Sequence, residues 1–262
     1  MKKRKVDKSN PFHKKHLTSV RQTLTYPVRL NKYVAKCGIA SRRKSIELIK
    51  QGKITVNGEL CKVPYRLVEK SDQVSYEGRI LQPEVTFIYF LLNKPKDVIT
   101  TTNDEKDRKT VLDILDYKGS ERLFPVGRLD RQTTGLLLIT NDGDLAKKLS
   151  HPSHQIRKEY HVVLDKPITQ EHFDAVKKGI QLDEGVAKIK DLERGRLDKD
   201  NEVVLTIILG WNRVVRRIFE SLGYKVQRLD RIYFAGLTKK NLPRGKHRSL
   251  TPREVIMLKH FS

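Results

Sequence analysis

The sequence predicts an α+β chain, with a small basic N-terminal module followed by a larger domain of interleaved strands and helices. Three observations predict it. Short apolar runs at 86–92, 136–139 and 203–209 are bounded by turn residues and read as buried strands. Between them, apolar residues recur at helical spacing, as at Phe173 and Val176 or Val215, Ile218, Phe219 and Leu222. The composition changes at Val85, from a basic segment with little to bury to a strand-rich one. The domain limits expected are a tail over 1–26, a module over 27–85 and a main domain over 86–262.

A length of 262 residues suits one sizeable domain and a smaller one, and 37% hydrophobic residues allow a real core. Lys and Arg outnumber Asp and Glu by 54 to 31, a formal charge of +23. Such an excess favours a polyanionic partner, usually nucleic acid. An anionic membrane surface is the competing partner. No apolar run approaches the roughly 18 residues that span a bilayer, so no membrane is expected. The Lys-rich start has no apolar core of a secretory signal, and cytoplasmic location is expected. Cys37 and Cys61 lack the spacing of a metal site or a disulfide framework.

In chain order, the tail carries Lys2, Lys3, Arg4, Lys5, Lys8, Lys14, Lys15 and Arg21, and is expected to be disordered when free. It is either a solubilising leader or a loose grip on phosphates. In the module, Leu30, Tyr33 and Val34 mark one helix. Ser41 is placed to cap a second, and Gly52 to end it. Lys53 to Val56 alternates like a strand, and Asn57-Gly58 signals a hairpin. Asp72, Val74 and Ile80 continue the strands. Arg29, Lys32, Arg42, Arg43 and Lys44 lie along the two helices, where basic residues can straddle an RNA backbone. A solvated face is the simpler reading of any one of them.

Beyond Val85, the first strand leads into Asn93-Lys94-Pro95-Lys96. A charged loop spans 104–108, and Val111, Leu112, Ile114 and Leu115 form a short helix. The stretch from Phe124 to Gly143 organises the rest. Its first half is polar and flexible, with Arg128 and Asp130 flanking Leu129. Its second half is the apolar run closed by Asn-Asp-Gly. A charged loop feeding a buried strand holds Asp130 on a rigid mount. The commoner use of such an aspartate is to cap its own loop. Residues 144–149 read as a helix, 158–163 as an alternating strand, 169–180 as an amphipathic helix and 191–202 as a charged hairpin-like insertion. Asn212 is placed to cap a helix over 212–223, a strand starts near Tyr224, and Pro252 with Glu254 opens the last helix. His151 and His154 are the nearest thing to a metal pair and lack a convincing third ligand, so no metal is expected.

Several of these motifs together resemble one family. Gly-Arg-Leu-Asp at 127–130, with Thr133, Gly135, the Leu-rich strand and Asn-Asp-Gly-Asp-Leu-Ala, resembles the central motif of the RNA pseudouridine synthases, most closely the RsuA/RluB/RluE/RluF family. The module, from Arg-Leu-Asn-Lys-Tyr-Val-Ala through Ser-Arg-Arg-Lys to Val-Asn-Gly, resembles the S4 RNA-binding domain. The likeness runs from about 28 to 258. It implies a small S4 (αL) domain, then a catalytic domain whose mixed, mostly antiparallel sheet is flanked by helices. It also implies residue roles. Asp130 would be catalytic, Arg216 its counter-charge, and Tyr160 of the Lys-Glu-Tyr triplet the ring that stacks on the base. Leu229 would pack under the base, and Arg128 would fill the vacated place in the RNA. Lys158 joins the substrate-binding set, and Arg213 and Arg217 the RNA-binding one. Trp211 and Val214 stand where the family usually has a basic residue and Gln, Glu or His. The implied partner is ribosomal RNA or a subunit assembly intermediate, bound by a monomer. Large-subunit RNA is favoured by the RluB/RluF-like motifs.

Pseudouridine formation breaks the C1′–N1 bond, turns the uracil and joins C5 to C1′. No atom is gained or lost, so no cofactor is expected, and the chain shows no phosphate-binding Gly-rich motif. Asp130 either attacks C1′ or removes the C2′ proton. A small-subunit target and a non-catalytic RNA-binding or ribosome-assembly protein on the same scaffold are the competing readings.

Overall fold

The fold is seen in a computed structural model, which describes residues 19–22, 24–83, 85–102, 104–119, 121–195 and 199–260. Two compact units emerge. One comprises Ser19–Phe87 with Lys118–Arg122, and the other holds Ile88–Tyr117 and the chain from Leu123 onward.

In the small unit, β1 (Ser19–Gln22) and β2 (Val28–Arg29) precede α1 (Leu30–Lys36) and α2 (Arg42–Lys50). Then follow β3 (Ile54–Val56), β4 (Glu59–Leu60), β5 (Leu67–Val68), β6 (Val74–Tyr76) and β7 (Arg79–Ile80). Leu30, Tyr33, Val34, Ile49, Ile54, Val56, Val68 and Val74 form its core. The Ser41 hydroxyl accepts the Lys44 N–H at 3.2 Å, capping α2 as its position predicts. Asn57 and Gly58 are both left-handed (φ +55° and +84°), the backbone a two-residue hairpin needs, and they join β3 to β4. Described structure is present before the expected limit at 27. Ser19–Gln22 is already a strand, and Leu24 and Tyr26 join the core. The reason is that these apolar side chains have a surface to cover. The rest of the expected basic tail, residues 1–18, lies outside the described residues.

The larger unit comprises β8 (Val85–Lys94), α3 (Val111–Leu115), β9 (Phe124–Pro125), β10 (Thr134–Thr140), α4 (Gly143–Ser150), β11 (Lys158–Leu164) and α5 (Gln170–Lys178). These are followed by β12 (Ile180–Leu182), β13 (Gly185–Ala187), β14 (Asp191–Arg194), β15 (Glu202–Ile207), α6 (Val214–Glu220), β16 (Val226–Phe234), β17 (Leu237–Thr238), β18 (His247–Ser249) and α7 (Pro252–Lys259). The main sheet runs β8-β10-β16-β11-β15-β14, with β9, β17 and β18 at its margins. β10 and β16 pair in parallel and the other pairs named here are antiparallel, so the sheet is mixed but mostly antiparallel. One apolar cluster packs Val162, Leu205 and Leu229 against α5 and α6. The other packs Phe90, Leu137 and Ile139 against α3. Thr110, Asp142, Thr169 and Thr251 cap α3, α4, α5 and α7.

Three expectations need correction. The helix over 169–180 stops at Gly179, and Ile180 instead opens the β12–β13 hairpin, which has no counterpart in the sequence reading. Apolar spacing carried the helix phase one residue too far. Asn212 does not cap α6. Arg213 does, in a left-handed conformation (φ +48°) and with no side-chain cap bond. The charged stretch from Asp191 forms the expected hairpin, but within the main sheet rather than as an insertion, because β14 pairs antiparallel with β15. Its exposed Asp191, Glu193 and Arg194 are side chains suited to an edge strand.

Candidate active site

The loop before β10 is held from beneath by one lysine. Lys94 ends β8, and its side chain is fully buried. Its ammonium donates to the main-chain carbonyls of Thr133 (2.8 Å), Asp130 (3.1 Å), Pro95 (3.1 Å) and Arg131 (3.4 Å). Burial pulls its pKa down to about 8, with Asp130 and Asp97 opposing. The loop is fastened on both flanks as well. The Thr100 hydroxyl donates to the Leu129 carbonyl at 2.7 Å, and Asp97 accepts from Arg131 Nε (3.1 Å) and Gln132 Nε2 (3.0 Å). Asp130 is thus fixed through its backbone. Its half-buried carboxylate has no hydrogen bond or ion pair among the described residues. A carboxylate used as a loop cap would be bonded to nearby N–H groups, and this one is not.

The parallel contact of β10 with β16 depends on Gly135 (φ +108°). A Cβ there would fall 2.5 Å from the Arg231 nitrogen and closer still to its carbonyl oxygen. Just before it, the Thr134 hydroxyl donates to Asp230 Oδ1 at 2.9 Å. Asp230 is buried and also takes bonds from Arg244 (2.8 and 3.1 Å) and Lys239. Burial alone would raise its pKa, but these two cations hold it below the usual carboxylate value.

Arg216 comes from α6 and is buried. Its Nη1 donates to the Val226 carbonyl at 2.8 Å, while its Nε has no partner. Burial and neighbouring Arg213 lower its pKa, whereas the Asp130 charge raises it. The two groups therefore feel each other without forming an ion pair. Tyr160 lies half-buried on β11 and packs against both apolar clusters. Leu229 is buried on β16 opposite Val162. Arg128 is exposed at the head of the loop.

Two expected contacts are otherwise engaged. The Lys158 ammonium donates to the Ile208 (2.9 Å) and Leu209 (3.4 Å) carbonyls at the end of β15, and burial lowers its pKa to about 8. It supports the turn that leads to Arg216 rather than facing outward. Arg217 is taken up by Glu184 (2.6 and 2.7 Å) and Asp183 (3.0 Å) of the β12–β13 turn. Those acids lie 33 and 34 residues earlier, so no local pattern links them to α6. Arg213 is exposed and reaches Glu220 at 3.5 Å. In the small unit Arg42 and Arg43 are exposed. Lys44 is exposed and pairs with Glu47, Arg29 lies over the Tyr65 ring, and Lys32 is half-buried. His151 bonds Ser153, and among the described residues no group of three or more His, Cys, Asp or Glu could hold a metal.

Comparison with known proteins assigns this chain to one class of RNA-modifying enzyme. Residues 88–221 match the family described as RNA pseudouridylate synthase, residues 28–74 match the S4 domain, and the chain belongs to the RNA pseudouridine synthase family. It is of the RluB/RluF type. It is 42% identical to the ribosomal large subunit pseudouridine synthase B of Bacillus subtilis (strain 168), over 88% of this chain and 95% of that one. It is 34% identical to the dual-specificity RNA pseudouridine synthase RluF of Escherichia coli (strain K12), over 88% and 78%. A solved structure titled as a pseudouridylate synthase matches with a TM-score of 0.63 at 31% identity, covering 88% of this chain and 99% of that one. The enzyme reading and the S4-then-catalytic order hold.

Sequence reasoning missed Lys94 and Asp230. A lysine ending an apolar strand, or an aspartate in the middle of one, is a detectable signal, since each must find partners once buried.

Proposed function

We propose that this protein converts a uridine of large-subunit ribosomal RNA to pseudouridine, with Asp130 as the reacting carboxylate. The observation that carries the reading is the unpartnered Asp130 carboxylate on a loop clamped through its carbonyls. The target uridine leaves its stack, which costs a few kcal/mol. Tyr160 stacks on the extruded ring and offsets about 1–3 kcal/mol of that. Leu229 supports the base from its buried position on β16. Asp130 then attacks C1′ or removes the C2′ proton. In either route it acts as a carboxylate, and the buried Arg216 guanidinium supplies an opposite charge that interacts with it. The glycosidic C1′–N1 bond breaks and the uracil turns. C5 then joins C1′, displacing the Asp130 oxygen in the first route or with the proton returned to C2′ in the second, and the C5 proton is lost as N1 is protonated. Large-subunit RNA is supported by the name of the Bacillus relative.

The test maps pseudouridines in ribosomal RNA from cells with this protein, without it, and with Asp130→Asn only. The expected result is at least one large-subunit site that disappears in both altered strains. Retention of every site in the Asp130→Asn strain would leave an RNA-binding or assembly protein. Loss confined to small-subunit RNA would move the substrate.

A further inference from the structure

From Arg231 to Arg253 the chain contains seven Lys or Arg residues and no Asp or Glu. Most of that charge sits on the loop between β17 and β18, which is tied down at both ends. Asp230 holds Lys239 and Arg244. Asn93 donates its side-chain amide to the Leu242 carbonyl (2.8 Å) and its N–H to Lys246 (3.0 Å), and accepts from the Gly245 N–H (2.8 Å). Turn bonds from Leu242 to Lys239 and from Lys246 to Pro243 close the loop on itself. These anchors place it beside the catalytic loop. Asp230 bonds Thr134, Asn93 adjoins Lys94, and the Arg244 charge is felt at Lys94.

The anchoring uses the loop's outer cations unequally. Lys239 and Arg244 share a single carboxylate, and Arg248 has Glu254. Lys240 and Lys246 are exposed, and among the described residues neither ammonium has an acceptor. Gathering like charges on an ordered loop costs free energy until an anion arrives. Inside a protein that acts on RNA, the anion of matching chemistry is the phosphate backbone. We propose that the Lys239–Lys246 loop is an RNA-backbone-binding element of the catalytic unit, with Lys240 and Lys246 as its phosphate contacts. It rests on the RNA-modifying reading above, and adds a grip separate from that of the S4 domain.

The test compares two double variants of the full chain with equal loss of charge. One is Lys240→Gln with Lys246→Gln. The other is Lys188→Gln with Lys190→Gln, two exposed lysines of the same unit. Affinity for a large-subunit ribosomal RNA transcript is measured across a salt series. The loop variant should flatten the log–log salt slope by about 1.4–1.8, the release of about two counterions, and weaken binding roughly tenfold at low salt. The Lys188/Lys190 variant should shift the slope by less than half as much. An unchanged slope in the loop variant, or equal shifts in both, overturns the proposal. Because the readout is binding, its failure leaves the assignment of pseudouridine formation untouched. Absent turnover on the same transcript would strike that assignment and not the loop.

Discussion

Lys94 donates to the main-chain carbonyl of Asp130 at 3.1 Å, so the proposed reacting residue is positioned by a buried cation that does not touch its carboxylate. Lys94→Met should therefore loosen the loop. Four carbonyls would lose a charged donor, and stability should fall by about 1–3 kcal/mol. Turnover should fall about a hundredfold or more, beyond what the melting shift explains. A urea titration run alongside a tritium-release assay separates the two effects.

Lys94 and Lys158 also give opposite pH trends in stability and activity. Both titrate near 8 in the fold, against 10.5 ordinarily, chiefly because burial disfavours their charged forms. Above pH 8 the folded chain sheds protons that the unfolded chain still holds, so these two groups contribute a stability that rises with pH up to the ordinary value. Activity should do the reverse, since a neutral amine donates fewer N–H bonds to its carbonyls. A pH–rate profile should show an alkaline fall with an apparent pKa near 8. Flat rates from pH 7 to 9.5 would refute the role of both ammonium groups.

Arg216→Met removes a buried positive charge that interacts with the Asp130 carboxylate. Turnover should drop by about two orders of magnitude at neutral pH, while RNA affinity stays within a few-fold. Single-turnover kinetics at saturating RNA would reveal this split. An equal loss in affinity would instead make Arg216 a phosphate contact.

Releasing Arg217 offers a gain rather than a loss. Asp183→Asn with Glu184→Gln frees a guanidinium now held at 2.6–3.0 Å. RNA binding should tighten, and its salt slope should steepen by about 0.7–0.9 for each phosphate newly contacted. Titration of labelled RNA in rising KCl would show it.

Gly135→Ala should prevent β10 from closing on β16. The new methyl would overlap the Arg231 backbone, on a residue with φ +108°. We expect a loss of about 3 kcal/mol or more from overlap and backbone strain together. Thermal unfolding by circular dichroism measures it directly.

What could be read from the chain alone was whatever a local pattern writes down. Ser41 and Pro252 with Glu254 act within one helical turn, and Asn57-Gly58 within one hairpin, so their signatures sit in adjacent residues. Asp130 stands out as the proposed reacting residue because its loop carries a family motif. The partners of Lys94, Arg217 and Asp230 lie up to 39, 34 and 96 residues away, and no short window contains both ends. The β12–β13 hairpin was missed for a different reason. Its strands are three residues each, too short for alternation to stand out beside a strong helix.

The cage around Lys94 has one further consequence. Every atom it grips is peptide oxygen, and peptide oxygen is the same whichever side chains are attached. Arg131 and Gln132 can therefore be exchanged over evolutionary time at the cost of their bonds to Asp97 alone, while the Lys94 grip keeps the aspartate between them and Leu129 in place. Such a loop can be re-lettered to suit a new RNA sequence without re-engineering the chemistry.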